Sequence, residues 1–358
     1  LAFDRFMELA LYAPSIGYYS GGAEKFGPGG DFVTAPEVSS LFGCCLARQA
    51  QQVLERLDGG DILEIGGGSG RLARDLLAQL ERMDALPERY LILELSAELR
   101  LRQRDALADL APHVAERVQW LNGFPEFGMQ GLVIANEVVD AMPVSRFRVD
   151  DGGIYELFVV EGGDAPFGFQ WRTPLTPGFA KAVERLLSRL GGLAPGYVSE
   201  INLRAGPWVA SLAGCLKRGV GLIVDYGYTR REFYHPERSR GTLICHYRHR
   251  AHDNPLALVG IQDITASVDF SALAEVAEDA GLSVAGFVPQ GHFLIAAGLE
   301  ECIGTNPTGV RGHLQSAQEV KRLTLPSQMG ERFKFLAVAA DWDAGLVGFS
   351  LRDFRDRL

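Results

Sequence analysis

The amino-acid sequence predicts a doubly wound, mainly parallel α/β sheet, and three observations carry that expectation. From residue 61 onward, short apolar strands alternate with amphipathic helices; a glycine turn joins the first strand to its helix; and an acid ends the second strand. Strand–helix alternation with short turns favours parallel strands joined by crossover helices. Ligands of such sheets bind at the carboxyl ends of the strands, so the residues just after strands one to four are the ones to inspect.

Taken in order, Leu1 to Leu11 carries Asp4, Arg5 and Glu8 among apolar residues and reads as a short amphipathic helix. A glycine-rich stretch, Gly17 to Phe32, is poor core material and reads as a binding loop or lid. Thr34-Ala-Pro-Glu37 has capping-box spacing, with Thr34 as N-cap and Glu37 reaching back. The helix it opens places Leu41, Phe42, Cys45, Leu46, Val53, Leu54 and Leu57 at helical spacing, and Asp58-Gly-Gly60 ends it. Strands follow at 61–65, 90–94, 118–120 and 131–135, with a leucine-faced helix (Leu72, Leu76, Leu77, Leu80) after the first and a helix opened by Ser96 after the second. Residues 147–172 read as hairpins with Asp-Gly-Gly as a turn. Helices are expected at 178–190, 203–217 and 270–280, with strands at 219–225, 282–289 and 332–340. The organisation expected is an N-terminal cap over 1–60 and a catalytic domain over 61–358, with insertions near 147–200 and 227–265.

Composition narrows the function. The chain has 358 residues, 47% apolar and 22% charged, which is enough for a full core and excludes wholesale disorder. A net charge of −10 argues against bulk affinity for nucleic acid. No run of 18 apolar residues is free of charge, so a membrane-spanning helix is not expected. Five scattered cysteines (Cys44, Cys45, Cys215, Cys245, Cys302) without a Cys-x-x-Cys pair argue against a disulfide framework and for a reducing, cytosol-like compartment.

The most informative stretch is Glu64-Ile-Gly66-Gly-Gly68-Ser69-Gly70 after strand one. Glycines let the chain turn sharply and let a ligand approach bare backbone, while the next helix offers free N–H groups. A dinucleotide fingerprint begun at Gly66 fails at Arg71; begun at Gly68 it survives as Gly68-x-Gly70-x-x-Ala73. The competing acid-x-Gly-x-Gly-x-Gly pattern suits S-adenosylmethionine (AdoMet), whose ammonium favours a nearby acid and which has no pyrophosphate. Glu94 can accept both ribose hydroxyls under either reading. A glycine turn that merely packs helix on strand is the third alternative.

Read together with Gly29-Gly-Asp-Phe-Val-Thr-Ala-Pro-Glu37, Ala135-Asn-Glu-Val-Val-Asp-Ala-Met-Pro143, Asp225-Tyr-Gly227, Gln262-Asp-Ile-Thr-Ala-Ser-Val-Asp-Phe270 and Pro326-Ser-Gln-Met-Gly-Glu-Arg-Phe333, that motif resembles one family along nearly the whole chain. It is similar to the mitochondrial complex I assembly-factor methyltransferases and their bacterial relatives. Met142, where Leu is expected, and Ala266 are small departures that remove no functional group. The resemblance implies a class I, Rossmann-like AdoMet-dependent methyltransferase and, from the mitochondrial members, symmetric dimethylation of an arginine on a complex I subunit.

The cofactor-side candidates are Glu64, Gly66, Gly68, Ser69, Gly70, Glu94, Asn122 in the usual adenine region, and Asn136, with Asp31 and Thr34 from the loop expected to close over the cofactor. On the acceptor side, Glu137 and Asp140 follow strand four, three residues apart. Acids there can hold a guanidinium in a fork and aim one nitrogen. The plainer alternative has Asp140 capping a helix and Glu137 favouring its N-terminus. His246, His249 and His252 could align on a helix as metal ligands, but a loop that makes ordinary hydrogen bonds is the expectation, and no metal is assigned. The reading is therefore a protein-arginine methyltransferase with AdoMet as cofactor and a protein partner such as a respiratory-complex subunit. Its rivals are a small-molecule methyltransferase, an AdoMet-binding scaffold without turnover and, last, a nicotinamide oxidoreductase. A bacterial cytoplasm is preferred, or a mitochondrial matrix if eukaryotic. The insertions offer a dimer surface, a partner groove or neither.

Overall fold

The structure is a computed structural model that describes residues 1–21, 34–163, 165–303 and 310–358. Contacts divide the chain into two compact units. One comprises Val33–Val138, Trp208–Gly227 and Ala272–Leu358; the other comprises Leu1–Phe32, Val139–Pro207 and Tyr228–Ser271.

The first unit carries the central sheet. Its strands are β1 (Asp61–Ile65), β2 (Tyr90–Leu93), β3 (Val118–Leu121), β4 (Met129–Asn136), β5 (Leu216–Tyr228), β6 (Ser283–Pro289) and β7 (Phe333–Ala340), ordered β6-β7-β5-β4-β1-β2-β3. β1 to β5 pair in parallel. β7 runs antiparallel to β5, and β6 antiparallel to β7. The expected mainly parallel sheet is thus present, with an antiparallel edge. The register is tight at the start of β4, where Gly131 has φ +138° and a Cβ there would lie 1.9 Å from the Asp61 carbonyl oxygen. Only glycine fits that close approach of β4 to β1.

Helices α1 (Ala35–Val38), α2 (Ser40–Leu57), α3 (Arg71–Arg82) and α4 (Ala97–Leu107) belong to this unit. All five residues of β1 are buried, as expected of a strand covered on both faces. The leucine face read from the sequence buries Leu72, Leu76, Leu77 and Leu80. The capping box at Thr34 is not formed. Ala35–Val38 is a single turn, and the chain breaks at Ser39, whose side chain caps α2 by accepting from the Leu41 N–H at 3.2 Å. Glu37 is directed elsewhere, as described below.

The cysteine expectation also needs correction. Cys44 on α2 is joined by a disulfide to Cys302 on the Leu299–Ile303 helix, 258 residues along the chain. Spacing could not reveal it, because the fold alone brings the two Cα atoms to 6.0 Å. Cys45, Cys215 and Cys245 are free and buried.

The second unit is built on a four-stranded antiparallel sheet of Phe167–Arg172, Gly153–Glu161, Ser145–Asp150 and Tyr197–Ile201, in that order. The first three are the expected hairpins. The Phe3–Tyr12 helix buries Phe3, Phe6, Met7, Ala10 and Leu11, a stripe at helical spacing. The histidines do not share a helix. Ile244–Tyr247 pairs with Arg250–His252 as a hairpin, and Arg248 and His249 turn it with φ of 48° and 59°. That pairing sets His252 opposite Cys245 and His246 opposite Ala251. Among the described residues no helix is long and apolar enough to cross a membrane.

Candidate cofactor and acceptor site

Parallel register assembles the cofactor side. Ile65 pairs with both Leu93 and Ala135, and Leu93 with Leu121. The residues that follow, Gly66, Glu94, Asn136 and Asn122, are therefore presented at one edge of one sheet. The Gly66 N–H donates to the Leu93 carbonyl at 2.9 Å, so the turn begins flush with the end of β2. Gly66, Gly68 and Gly70 all have positive φ, at 71°, 52° and 83°. A side chain at Gly66 would press on Val138 and one at Gly67 on Ile92. The turn therefore takes no side chain at either position without displacing its neighbours.

Two buried acids flank it. Glu64 is held by the Tyr90 hydroxyl, which donates to its Oε2 at 2.8 Å. Burial pushes the Glu64 carboxyl up to about 7, helped by the Glu94 charge and opposed by the Tyr90 hydrogen bond. Glu94 accepts from the Ser96 N–H at 2.9 Å and from the Gln103 amide at 3.2 Å; burial raises its pKa while these bonds hold it down. Arg100 stitches the neighbouring strand ends together, donating to the carbonyls of Glu94 at 2.7 Å and Leu121 at 2.6 Å and to Asn122 Oδ1 at 2.8 Å.

Residues outside the sequence motif complete this shell. The Ser69 hydroxyl donates to the Glu37 carboxylate, and Arg71 lies 3.7 Å from the same group. Thr34 is buried at the start of α1, and its carbonyl accepts from the N–H groups of Glu37 and Val38. Asp31, and with it the lid expectation, lies outside the described residues.

After β4 the chain does not enter a helix. Residues 137–144 form a turn, with the Met142 N–H donating to the Val139 carbonyl at 3.2 Å, so the helix-capping alternative for Asp140 falls. Glu137 sits at φ 53°, in the left-handed region, with its N–H donating to the Val224 carbonyl at 2.8 Å. A non-glycine residue held there costs roughly 1–3 kcal/mol, and such outliers gather at working sites. The Asn136 amide reaches Glu137 Oε1 at 3.4 Å, while Asn136 Oδ1 is buried without a protein partner. Asp140 is buried and belongs to the second unit, where its carbonyl accepts from the Ala266 N–H at 3.0 Å.

The donor set decides between the cofactor readings. Two buried carboxylates beside the glycine turn suit a cationic, hydroxyl-bearing ligand, whereas a pyrophosphate would be repelled by Glu64 and Glu94 when these are ionised. The neighbouring guanidiniums are already engaged, Arg71 facing Glu37 and Asp75 and Arg100 donating to the carbonyls of Glu94 and Leu121. Residues 45–288 match the model of a family of S-adenosyl-L-methionine-dependent methyltransferases.

The chain belongs to that family.

A Drosophila melanogaster relative, a mitochondrial protein arginine methyltransferase NDUFAF7 homolog, is 30% identical over 96% of this chain and 84% of its own length. The Danio rerio mitochondrial protein arginine methyltransferase NDUFAF7 is 27% identical, covering 93% and 82%. A Burkholderia thailandensis protein, whose crystal structure holds S-adenosyl-homocysteine, superposes with a TM-score of 0.93 at 40% identity over 100% of this chain and 92% of that one. This methyltransferase therefore shares a class I, Rossmann-like fold and AdoMet as cofactor with its relatives.

Proposed function

We propose that this methyltransferase modifies a nitrogen of an arginine side chain on a partner protein. The observation that carries the reading is Glu137, an acid held at φ 53° immediately beyond β4 with its backbone tied to Val224. A carboxylate on a backbone so fixed can accept two N–H groups of a guanidinium, one of them on the nitrogen to be methylated. The names of the Drosophila and Danio relatives support the same acceptor.

On the cofactor side, Glu64 and the turn carbonyls would take the amino-acid moiety, Gly66, Gly68 and Gly70 would admit it to bare backbone, and Ser69 would hold the turn. Glu94 would accept the ribose hydroxyls, with Asn122 beside the adenine and Asn136 at the floor. Thr34, buried at the start of α1, would border the entrance. When bound, AdoMet supplies a methyl group activated by its sulfonium. Glu137 orients the acceptor nitrogen and takes up, at a carboxylate oxygen, the proton that nitrogen releases. Asp140, three residues along, is the second candidate acid for the guanidinium charge.

Methyl-labelled AdoMet incubated with the enzyme and a whole-cell extract, followed by amino-acid analysis of the labelled proteins, tests the proposal. Methylarginine is expected, and a respiratory-complex subunit is the first partner to assay. Label confined to lysine, glutamine or a small molecule would overturn it.

A further inference from the structure

One buried side chain in the sheet unit belongs to no motif. Gln103 lies on α4 between Leu99 and Leu107, a polar residue at a core position of the helix, and it is 0% exposed. Its Nε2 donates to the Gly68 carbonyl at 3.0 Å and to Glu94 Oε2 at 3.2 Å, while its Oε1 accepts from Trp120 Nε1 at 2.8 Å. An indole nitrogen can only donate, so Trp120 dictates which end of the amide is oxygen. The amino end is thereby committed to the turn and to the acid. The backbone agrees: a Cβ on Gly67 would meet Gln103 Nε2 at 3.1 Å and one on Gly70 would meet Gln103 Cα at 2.9 Å, so α4 is seated on the glycine turn itself.

We infer that Gln103 is a positioning residue of the cofactor site, clamping the Gly68 carbonyl and the Glu94 carboxylate in one geometry with Trp120 as its orienting partner. The inference rests on the proposed role of Glu94 as acceptor for the ribose hydroxyls. A carboxylate free to rotate away would lose the geometry needed to receive two hydroxyls at once, so the amide acts on the ligand through Glu94 and the turn rather than by contact. The Gln103 amide also favours the ionised form of Glu94 against the effect of burial.

Isothermal titration with S-adenosyl-homocysteine tests this on the full chain. Gln103→Met keeps the volume and removes all three hydrogen bonds; its affinity is expected to fall about 10- to 100-fold, as for the loss of buried bonds to a charged group. The deficit should widen as pH drops, because Glu94 then protonates more readily, a change that a general loosening of the core would not produce. Trp120→Phe leaves the amide in place but frees its orientation, and is expected to lose about three- to tenfold; it carries the test if Gln103→Met does not fold. In a Glu94→Ala background the Gln103→Met effect should shrink severalfold. Wild-type affinity in Gln103→Met or, should that variant not fold, in Trp120→Phe would overturn the inference, as would a Gln103→Met deficit independent of pH and of Glu94. Should Glu94→Ala alone bind as wild type, the ribose role fails first and the clamp on Glu94 fails with it.

Discussion

The Ser69 hydroxyl donates to the carboxylate of Glu37, 32 residues earlier, and so ties the cofactor turn to the short α1 helix. Glu37 carries this bond in place of the reciprocal cap that Thr34-Ala-Pro-Glu37 suggests on paper. Its side chain is only 11% exposed and faces Arg71 as well, so one acid supports both the turn and the start of α3. Glu37→Ala should cost about 1–3 kcal/mol of stability, from a lost charge-assisted bond in a mostly buried place. S-adenosyl-homocysteine affinity should fall about tenfold with it, read by denaturant melts and titration; Glu37→Gln, which can still accept from Ser69, should lose less.

Glu64 sets a pH dependence. Its carboxyl is raised from 4.5 to about 7 by burial, so the folded protein holds that proton more tightly than the unfolded chain does. The stability it contributes is full below about 4.5 and is lost as pH rises through about 7, a swing of order 3 kcal/mol. Unfolding free energies at pH 5 and pH 8 should therefore differ more for the wild type than for Glu64→Gln. A cationic amino group beside Glu64 would favour its ionised form, so ligand affinity should rise with pH up to about 7 and then level off. A flat affinity profile would remove Glu64 from the amino-acid end of the site.

Glu137 separates stability from activity. Glu137→Gly relieves a left-handed backbone conformation and is expected to stabilise the fold by about 1 kcal/mol while abolishing methyl transfer. Glu137→Gln should bind S-adenosyl-homocysteine as the wild type does and lose about 10²- to 10⁴-fold in turnover, the usual scale for a positioned acid–base group. Wild-type turnover in Glu137→Gln would remove it from the acceptor site.

The Cys44–Cys302 disulfide closes a loop of 258 residues. Cys302→Ser, or reduction, should lower stability by about 2–5 kcal/mol through the unfolded chain's regained freedom. Cys45, whose thiol is pushed up to about 12 by burial, should stay unmodified by alkylating reagents in the folded state. Denaturant melts with and without reductant check the first, and mass spectrometry of the alkylated folded protein the second.

The cofactor turn was legible because its chemistry is local. Glu64, Gly66, Gly68 and Gly70 are consecutive in a strand–turn–helix unit, and Glu94 needs only the next strand to stand beside it. Gln103 belongs to no local motif, although the stripe Leu99, Gln103, Leu107 puts an amide where a core residue belongs. The anomaly was readable, but its partners, Gly68 and Trp120, lie 35 residues before and 17 after it. Glu37 shows the opposite case: its spacing from Thr34 displays only a local cap, whereas its partners Ser69 and Arg71 lie more than 30 residues on.

By itself, then, the sequence determined the alternation of strands and helices, the open turn after β1, the acids that follow the strands and the family to which the chain belongs, all of which depend on order and short spacing. Tertiary structure alone decided which acids are buried, how the Gln103 amide is oriented, that Cys44 meets Cys302, that 244–252 is a hairpin and that a turn rather than a helix follows β4. Those outcomes depend on contacts between distant segments. Burial and hydrogen-bond partnership exist only once the segments have packed, and no periodicity along the chain encodes them.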